Sequence, residues 1–343
     1  MITSLISEIA LRKDYLNGAT VNTIYFGGGT PSLLTETEIS LLLAAISSTF
    51  NCADELEITL EANPDDITPT SLERWKAANI NRLSIGLQSF KPSDLAWMNR
   101  AHTAEESEKC VLLAKQAGFE HLTVDLMYGL PGLTDDEWRN HIQKVVDMGV
   151  NHISAYCLTI EEKTPLNKWV QHGKIAPSTE EEQSHQFMIL LELLEENGFQ
   201  QYEISNFARA GHESKHNSNY WKGAHYLGIG PSAHSFNGST RSWNVAHNRN
   251  YMQGISSGSP SSETEVLSAK DQFNERILTG LRTIYGVSIA ELNQLHPVPK
   301  HVHSRADSFI QQGWMFIEPE EKWVLTKQGK LRADYIASEL FLD

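Results

Sequence analysis

Cysteine, positive charge and long apolar runs are all scarce in this chain of 343 residues. The cysteines, Cys52, Cys110 and Cys157, are spaced too widely for a disulfide framework or a clustered metal motif. The 28 lysines and arginines stand against 43 aspartates and glutamates, and this net charge of −15 argues against a nucleic-acid partner. No apolar run approaches the ~20 residues of a membrane helix. Because residues 1–5 also lack the basic start of a signal peptide, we expect a cytoplasmic protein.

A run of glycines is the most informative feature that the sequence does contain. The predicted strand Val21–Phe26 leads into Gly27–Gly29 and then into Thr30-Pro31, which predicts the start of a helix. Glycine permits positive φ and lets a ligand approach the peptide groups, so the loop predicts a site for a polar ligand. A dinucleotide-binding loop with Glu61 on the ribose is an alternative, but the motif's third glycine is absent and Glu61 lies too far along the chain.

Strands and helices alternate through the first two-thirds of the chain. Each step between strand starts is long enough for a crossover helix, which predicts an α/β fold with parallel strands. Four successive strands end in glycine or polar residues, as the strands of βα barrels do where they form one site. The predicted strands are Val21–Phe26, Leu56–Leu60, Arg82–Leu87, His121–Leu126 and His152–Thr159.

The pattern changes after Pro177. Residues 178–197 predict a long amphipathic helix, and the serine-rich residues 256–263 predict a mobile link. Two short helices and a hairpin, residues 314–318 and 322–325, then predict a winged-helix-like region. This region has no basic recognition stripe, so we expect it to serve packing or a protein partner rather than DNA.

Four motifs are similar to those of radical S-adenosylmethionine proteins, within the group of oxygen-independent coproporphyrinogen oxidases and HemW haem chaperones. The resemblance implies a partial (β/α)6 TIM-like radical SAM barrel over residues 1–177, with its first strand missing. It also implies a barrel-covering region over residues 178–260 and a helical, winged-helix-like region over residues 261–343. The motifs are Gly27-Gly28-Gly29-Thr30-Pro31, Glu61-Ala62-Asn63-Pro64, Leu83-Ser84-Ile85-Gly86-Leu87-Gln88-Ser89-Phe90 and Asp125-Leu126-Met127-Tyr128-Gly129-Leu130-Pro131.

The same resemblance implies a set of residues that bind S-adenosylmethionine. The glycine loop and its threonine would hold the methionine end, and four polar side chains would bind the rest. Carboxylates can accept hydrogen bonds from amino and ribose hydroxyl groups, and amide or guanidinium groups can hold the carboxylate. For each side chain, a structural cap or ion pair is the alternative. The residues are Gly28, Gly29, Thr30, Glu61, Gln88, Arg100 and Asp125.

A second motif, residues 216–221, resembles the His-Asn-x-x-Tyr-Trp signature of the HemW-type branch and implies His216 as a haem ligand. An imidazole beside tyrosine and tryptophan can ligate haem iron while the aromatic rings cover the porphyrin. His102, His212 and His234 are weaker candidates. The implied function is delivery of haem to client proteins, peripheral membrane clients included. The alternatives are an oxygen-independent coproporphyrinogen III oxidase and a non-catalytic scaffold.

One departure from the family concerns the iron–sulfur cluster. Its members bind a [4Fe–4S] cluster through a C-x3-C-x2-C loop, whereas this sequence has no cysteine before Cys52. We therefore expect no catalytic residues, no cluster ligands and no radical chemistry from this chain. Either a cysteine segment precedes Met1 in a longer parent, which alone would hold the cluster, or the chain is a degenerate relative. In both cases Val21–Phe26 would have a bare edge.

Overall fold

The computed structural model describes residues Met1–Leu342. They form two compact units. The first contains Met1–Ile24, Leu34–Glu57 and the described residues from Lys215 onward, and the second contains Tyr25–Leu33 and Ile58–Ser214. Within the described residues, no helix combines the length and apolar character needed to cross a membrane. The division at residues 177 and 260 stays a prediction.

The larger sheet has seven strands in the order β1-β2-β3-β4-β5-β7-β6, so β1 is an edge strand. Its pairs β2/β3, β3/β4 and β4/β5 are parallel, and β7 pairs antiparallel with both β5 and β6. This series confirms the predicted α/β class. The strands are β1 (Val21–Phe26), β2 (Cys52–Ala62), β3 (Arg82–Gln88), β4 (His121–Tyr128), β5 (His152–Cys157), β6 (Gln200–Glu203) and β7 (Asn206–Ala208).

Most helices of the second unit begin at threonine caps. Thr68, Thr103, Thr134 and Thr179 each accept a hydrogen bond from the backbone amide three residues later, which satisfies an otherwise unpaired donor. The helices of this unit are α3 (Pro69–Ala77), α4 (Pro92–Trp97), α5 (Ala104–Gln116), α6 (Asp135–Asp147), α7 (Pro165–Gln171) and α8 (Glu180–Glu196).

Lysines of the second unit bond the carbonyl groups at a helix end of the next βα unit. Lys76 of α3 donates to the carbonyls of Ala117 and Gly118 after α5, at 3.0 and 2.9 Å. Lys115 of α5 donates in the same way to Met148 and Gly149 after α6, at 2.7 and 3.2 Å. A cation at a helix C-terminus also complements the helix dipole. Each of these βα units is therefore bonded to the one that follows.

The first unit combines helices with two three-stranded sheets, in the orders β10-β9-β8 and β11-β13-β12. The strands are β8 (His234–Phe236), β9 (Thr240–Asn244), β10 (Ser262–Val266), β11 (Val287–Ser288), β12 (Met315–Glu318) and β13 (Lys322–Leu325). The helices are α1 (Ile2–Leu11), α2 (Glu36–Thr49), α9 (Lys215–Trp221), α10 (Asn248–Ser256), α11 (Ala269–Leu281), α12 (Ile289–Leu295), α13 (Lys300–Gln311), α14 (Lys327–Lys330) and α15 (Ala333–Glu339).

A buried carboxylate anchors α1 within the first unit. Glu8 is 0% exposed and accepts hydrogen bonds from the Tyr251 hydroxyl at 2.5 Å, the Asn244 amide at 2.7 Å and the Gly230 backbone amide at 2.8 Å. The Arg12 guanidinium lies 3.6 Å from the same carboxylate. A buried charge is tolerated because all these partners satisfy it.

The structure corrects three local predictions. The segment 256–263, predicted to be a mobile link, contains the start of β10, which pairs with β9. Thr30-Pro31 does not begin an α-helix: Pro31–Leu33 form a single 3-10 turn, and α2 begins at Glu36 behind the cap Thr35. The strand predicted from residue 56 begins at Cys52, because β2 is longer than its apolar part. The predicted C-terminal hairpin is confirmed as β12 and β13.

Candidate functional site

The glycine loop at the end of β1 exposes bare backbone. A Cβ on Gly27 would lie 2.6 Å from the Tyr25 ring and 3.0 Å from Oε1 of Glu61, so a larger residue does not fit there. Gly28 has a backbone φ of +92°, a value that residues with a side chain rarely adopt. No atom lies within 4 Å of a Cβ built on Gly28 or Gly29, so these two residues face open space. A ligand can therefore contact their peptide groups directly.

Glu61, at the end of β2, lies beside this loop, and Asp125 of β4 is close enough to Glu61 for the two charges to interact. Glu61 accepts a hydrogen bond from the Tyr25 hydroxyl at 2.7 Å. Asp125 has the Ser84 hydroxyl 3.3 Å from both of its oxygens. Burial and then the Glu61 charge raise the pKa of Asp125 to about 7, although hydrogen bonds from Ser154 and Ser84 act in the opposite direction. Asp125 is thus an acceptor whose charge changes near neutral pH.

Gln88 and Arg100 converge on Gly86 from two directions. Gln88 has φ +69°, and the register between β3 and β4 shifts at this point, so a β-bulge redirects its side chain. Arg100 donates to the Gly86 carbonyl at 2.8 Å and to Oδ1 of Asn63 at 3.0 Å. A Cβ on Gly86 would lie 2.9 Å from Nε2 of Gln88 and 3.1 Å from Nη2 of Arg100. Only glycine leaves both side chains where they are.

The structure therefore gathers most of the predicted cofactor residues in the second unit. Glu61 lies against the glycine loop and near Asp125, and Arg100 is close enough to Asp125 to lower its pKa. Thr30 is exposed, and its carbonyl accepts the Leu33 amide at 3.2 Å. Together the groups offer anionic acceptors, a guanidinium, an amide and bare peptide groups. This combination suits a ligand that carries amino, hydroxyl and carboxylate groups.

Sequence reasoning missed three members of this site. Tyr25, Ser84 and Ser154 bond or face the two carboxylates from β1, β3 and β5. The pKa of Tyr25 is raised by burial and by the Glu61 charge. Alternation along each strand could have found Tyr25 and Ser84, because residues on one face of a sheet recur at every second position.

His216 belongs to the first unit, on helix α9. Its Nδ1 lies 2.9 Å from the Thr23 hydroxyl, and its backbone amide donates to the Glu57 carboxylate at 2.8 Å. Burial lowers the pKa of the imidazole, although the Glu57 charge raises it. The ring is thus held in a fixed orientation and is neutral at physiological pH, which is the form that ligates a metal.

The other residues of the motif divide into structural and exposed groups. Nε1 of Trp221 donates to Oδ1 of Asn217 at 3.0 Å, one helical turn away. Tyr220 is 49% exposed, and its ring centroid lies 5.3 Å from that of Tyr226. Asn217 and Trp221 therefore stabilise α9, while Tyr220 presents an aromatic surface to solvent.

The weaker haem-ligand candidates lie in different surroundings. His102 is only 3% exposed, and its Nε2 lies 3.2 Å from the Leu87 carbonyl, so it is a structural histidine. His212 packs against the His121 ring at 5.7 Å. His234 is exposed and stacks on Trp243 at 6.0 Å. Of the three, only His234 is open to solvent.

The thiols do not form an iron–sulfur site. Cys52, Cys110 and Cys157 are free cysteines, and burial raises the pKa of Cys110 to about 12 and of Cys157 to about 11. Within residues 1–342, no three histidine, cysteine or acidic side chains are grouped so that they could hold a metal ion. The described residues therefore do not fit a [4Fe–4S] cluster, which needs thiolate ligands.

Comparison with solved structures identifies the fold. Coproporphyrinogen III oxidase (HemN) from Escherichia coli matches with a TM-score of 0.81 over 99% of this chain and 82% of the other, at 21% sequence identity. The predicted radical SAM partial-barrel fold is thereby confirmed. At this identity the match concerns the fold alone.

Sequence comparison identifies the family. Residues 5–145 match the Radical SAM superfamily. A protein named "Heme chaperone HemW" from Mycobacterium tuberculosis (strain ATCC 25618 / H37Rv) is 34% identical over 340 residues, 99% of this chain and 85% of the relative. The protein of the same name from Bacillus subtilis (strain 168) is 36% identical over 270 residues, 78% and 71% of the two chains. With this similarity along almost its whole length, the chain belongs to the HemW family within the Radical SAM superfamily.

Proposed function

We propose that this protein binds haem and S-adenosylmethionine and delivers haem to client proteins, in a cytoplasmic setting. The observation that carries the proposal is the neutral His216 imidazole, oriented by Thr23 on the helix with the His-Asn-x-x-Tyr-Trp motif. Relatives of 31–36% identity that carry the name "Heme chaperone HemW" support it. The oxidase alternative is not favoured, because the likeness to that enzyme is at 21% identity and concerns the fold.

His216 would bind the haem iron as an axial ligand. A neutral imidazole is required for ligation, and the lowered pKa of His216 provides it. The contact between Nδ1 and the Thr23 hydroxyl fixes the ring plane, as hydrogen-bonded partners commonly do for metal-ligating histidines. Haem is the cargo in this scheme, so its affinity must also allow release to a client.

S-adenosylmethionine would bind at the ends of β1 to β4. Gly28, Gly29 and Thr30 would contact its methionine end, and Glu61 and Asp125 would accept hydrogen bonds from its amino and hydroxyl groups. Gln88 and Arg100 would hold its carboxylate. When bound, this cofactor supplies a sulfonium centre. No radical step is assigned, because the described residues do not fit the cluster that would supply the electron.

Haem titration of purified protein tests the ligand assignment. We expect His216→Ala to change the Soret band and to weaken binding, because the iron loses an imidazole ligand. The matched control is His301→Ala, which removes an exposed histidine of α13 in the same unit. If His216→Ala and the wild type give the same spectrum and affinity, His216 is not the ligand.

A further inference from the structure

A cationic and aromatic surface follows the haem motif at the end of α9. Lys222 is exposed, and its ammonium group lies 4.4 Å from the ring centroid of Tyr285. Tyr285 is 41% exposed, and Tyr220 precedes Lys222 by two residues with 49% of its surface exposed. Two large rings and an ammonium group are therefore partly exposed to solvent within the first unit.

The ammonium group of Lys222 differs from the neighbouring cation in its partners. Arg282 lies over the Trp221 ring at 5.1 Å and forms an ion pair with Asp334 at 3.0 Å. Within residues 1–342, Lys222 forms no ion pair, and its ammonium group lies over the π face of Tyr285. The chain has a net charge of −15, and here an un-neutralised cation lies beside exposed aromatic rings. This combination suits a ligand that is flat, apolar and anionic at its edge.

Haem has these properties, because a flat porphyrin carries two propionate carboxylates at one edge. Lys222 follows His216 by six residues and lies just past the last residue of α9, a separation of about 9 Å along the helix axis. We propose that Lys222 binds a haem propionate while Tyr220 and Tyr285 pack against the porphyrin. This inference rests on the proposed haem binding. It identifies the carboxylate edge of haem as the part that the protein recognises.

Haem and haem dimethyl ester, in which both propionates are neutral, provide the test. We expect the wild type to bind haem about three-fold more tightly than the ester, the size of one exposed ion pair. Lys222→Gln should lose this preference by weakening haem binding alone, and Lys222→Arg should restore it because the charge returns. Lys215→Gln is the matched control, since it removes an exposed lysine from the other end of α9.

The outcomes separate the two proposals. The propionate assignment is overturned if Lys222→Gln keeps the wild-type preference, if the wild type has none, or if Lys215→Gln loses it equally. In each of these cases haem binding itself, and its dependence on His216, still stands. If the wild type binds neither ligand saturably, the proposed function has failed.

Discussion

Asp125 gives the sharpest prediction because the structure fixes the sign of its effect. Its pKa is raised from 3.8 to about 7 by burial and by Glu61, so the folded protein keeps this proton at pH values where the unfolded chain has released it. Stability must therefore fall as the pH rises from about 4 to 7. A shift of about 3 pKa units corresponds to ~4 kcal/mol at most, at ~1.4 kcal/mol for each unit.

Asp125→Asn removes this loss, because an amide fills the same space without an ionisable proton. We expect the variant to be more stable than the wild type by up to ~4 kcal/mol at pH 8, and by less than half of that amount at pH 5. Urea unfolding at both pH values measures the difference as a shift of the midpoint. The other charged or titratable groups that face Asp125 are Tyr25, Glu61, Arg100 and Tyr156.

Two further variants isolate the cause. Glu61→Gln removes the neighbouring charge, so it should lower the pKa of Asp125 and reduce the pH dependence without abolishing it. Asp147→Asn changes an exposed carboxylate of α6 and should leave the pH dependence as in the wild type. If Asp125→Asn shows the same difference in midpoint between pH 5 and pH 8 as the wild type, Asp125 does not carry the raised pKa and the reasoning is refuted.

Three more substitutions test other contacts. Gly86→Ala should leave the fold intact but weaken S-adenosylmethionine binding at least ten-fold in calorimetry, because the methyl group displaces the flexible ends of Gln88 and Arg100. Thr23→Val should weaken haem binding about ten-fold in absorbance titration, since the imidazole loses the partner that orients it; unchanged affinity would contradict this role. Glu8→Gln should cost ~2–4 kcal/mol in urea unfolding, because an amide cannot accept all the donors that now bond the carboxylate.

The parallel strands could be predicted from sequence because they contain apolar and β-branched residues and end at glycine or polar residues. Val21–Phe26 stops at three glycines, and five of the eight residues in the run that begins at His121 are buried. The starts of helices could also be predicted, because Thr68-Pro69 and Thr134 place a capping side chain before an amphipathic run. Local chemistry fixes these features, so sequence alone suffices.

The remaining features depend on contacts between distant residues. Strand β10 is exposed along its whole length and exists because β9 pairs with it, so its own residues give no apolar pattern. The left-handed conformation of Gln88 has no sequence signal either, because glycine and asparagine are the residues that favour positive φ. The raised pKa of Asp125 likewise arises from burial that no single strand reveals.

The lysines that bond successive helix ends have a consequence for how the second unit opens. Lys76 links α3 to the end of α5, and Lys115 links α5 to the end of α6. When the end of α5 or α6 frays, the hydrogen bond from the lysine of the preceding βα unit must break. Local opening of one βα unit is therefore coupled to the unit before it. In amide hydrogen exchange, replacing Lys76 should speed exchange near Gly118, one βα unit away from the substitution. Each βα unit thus stabilises the helix end of the βα unit that follows it in the chain.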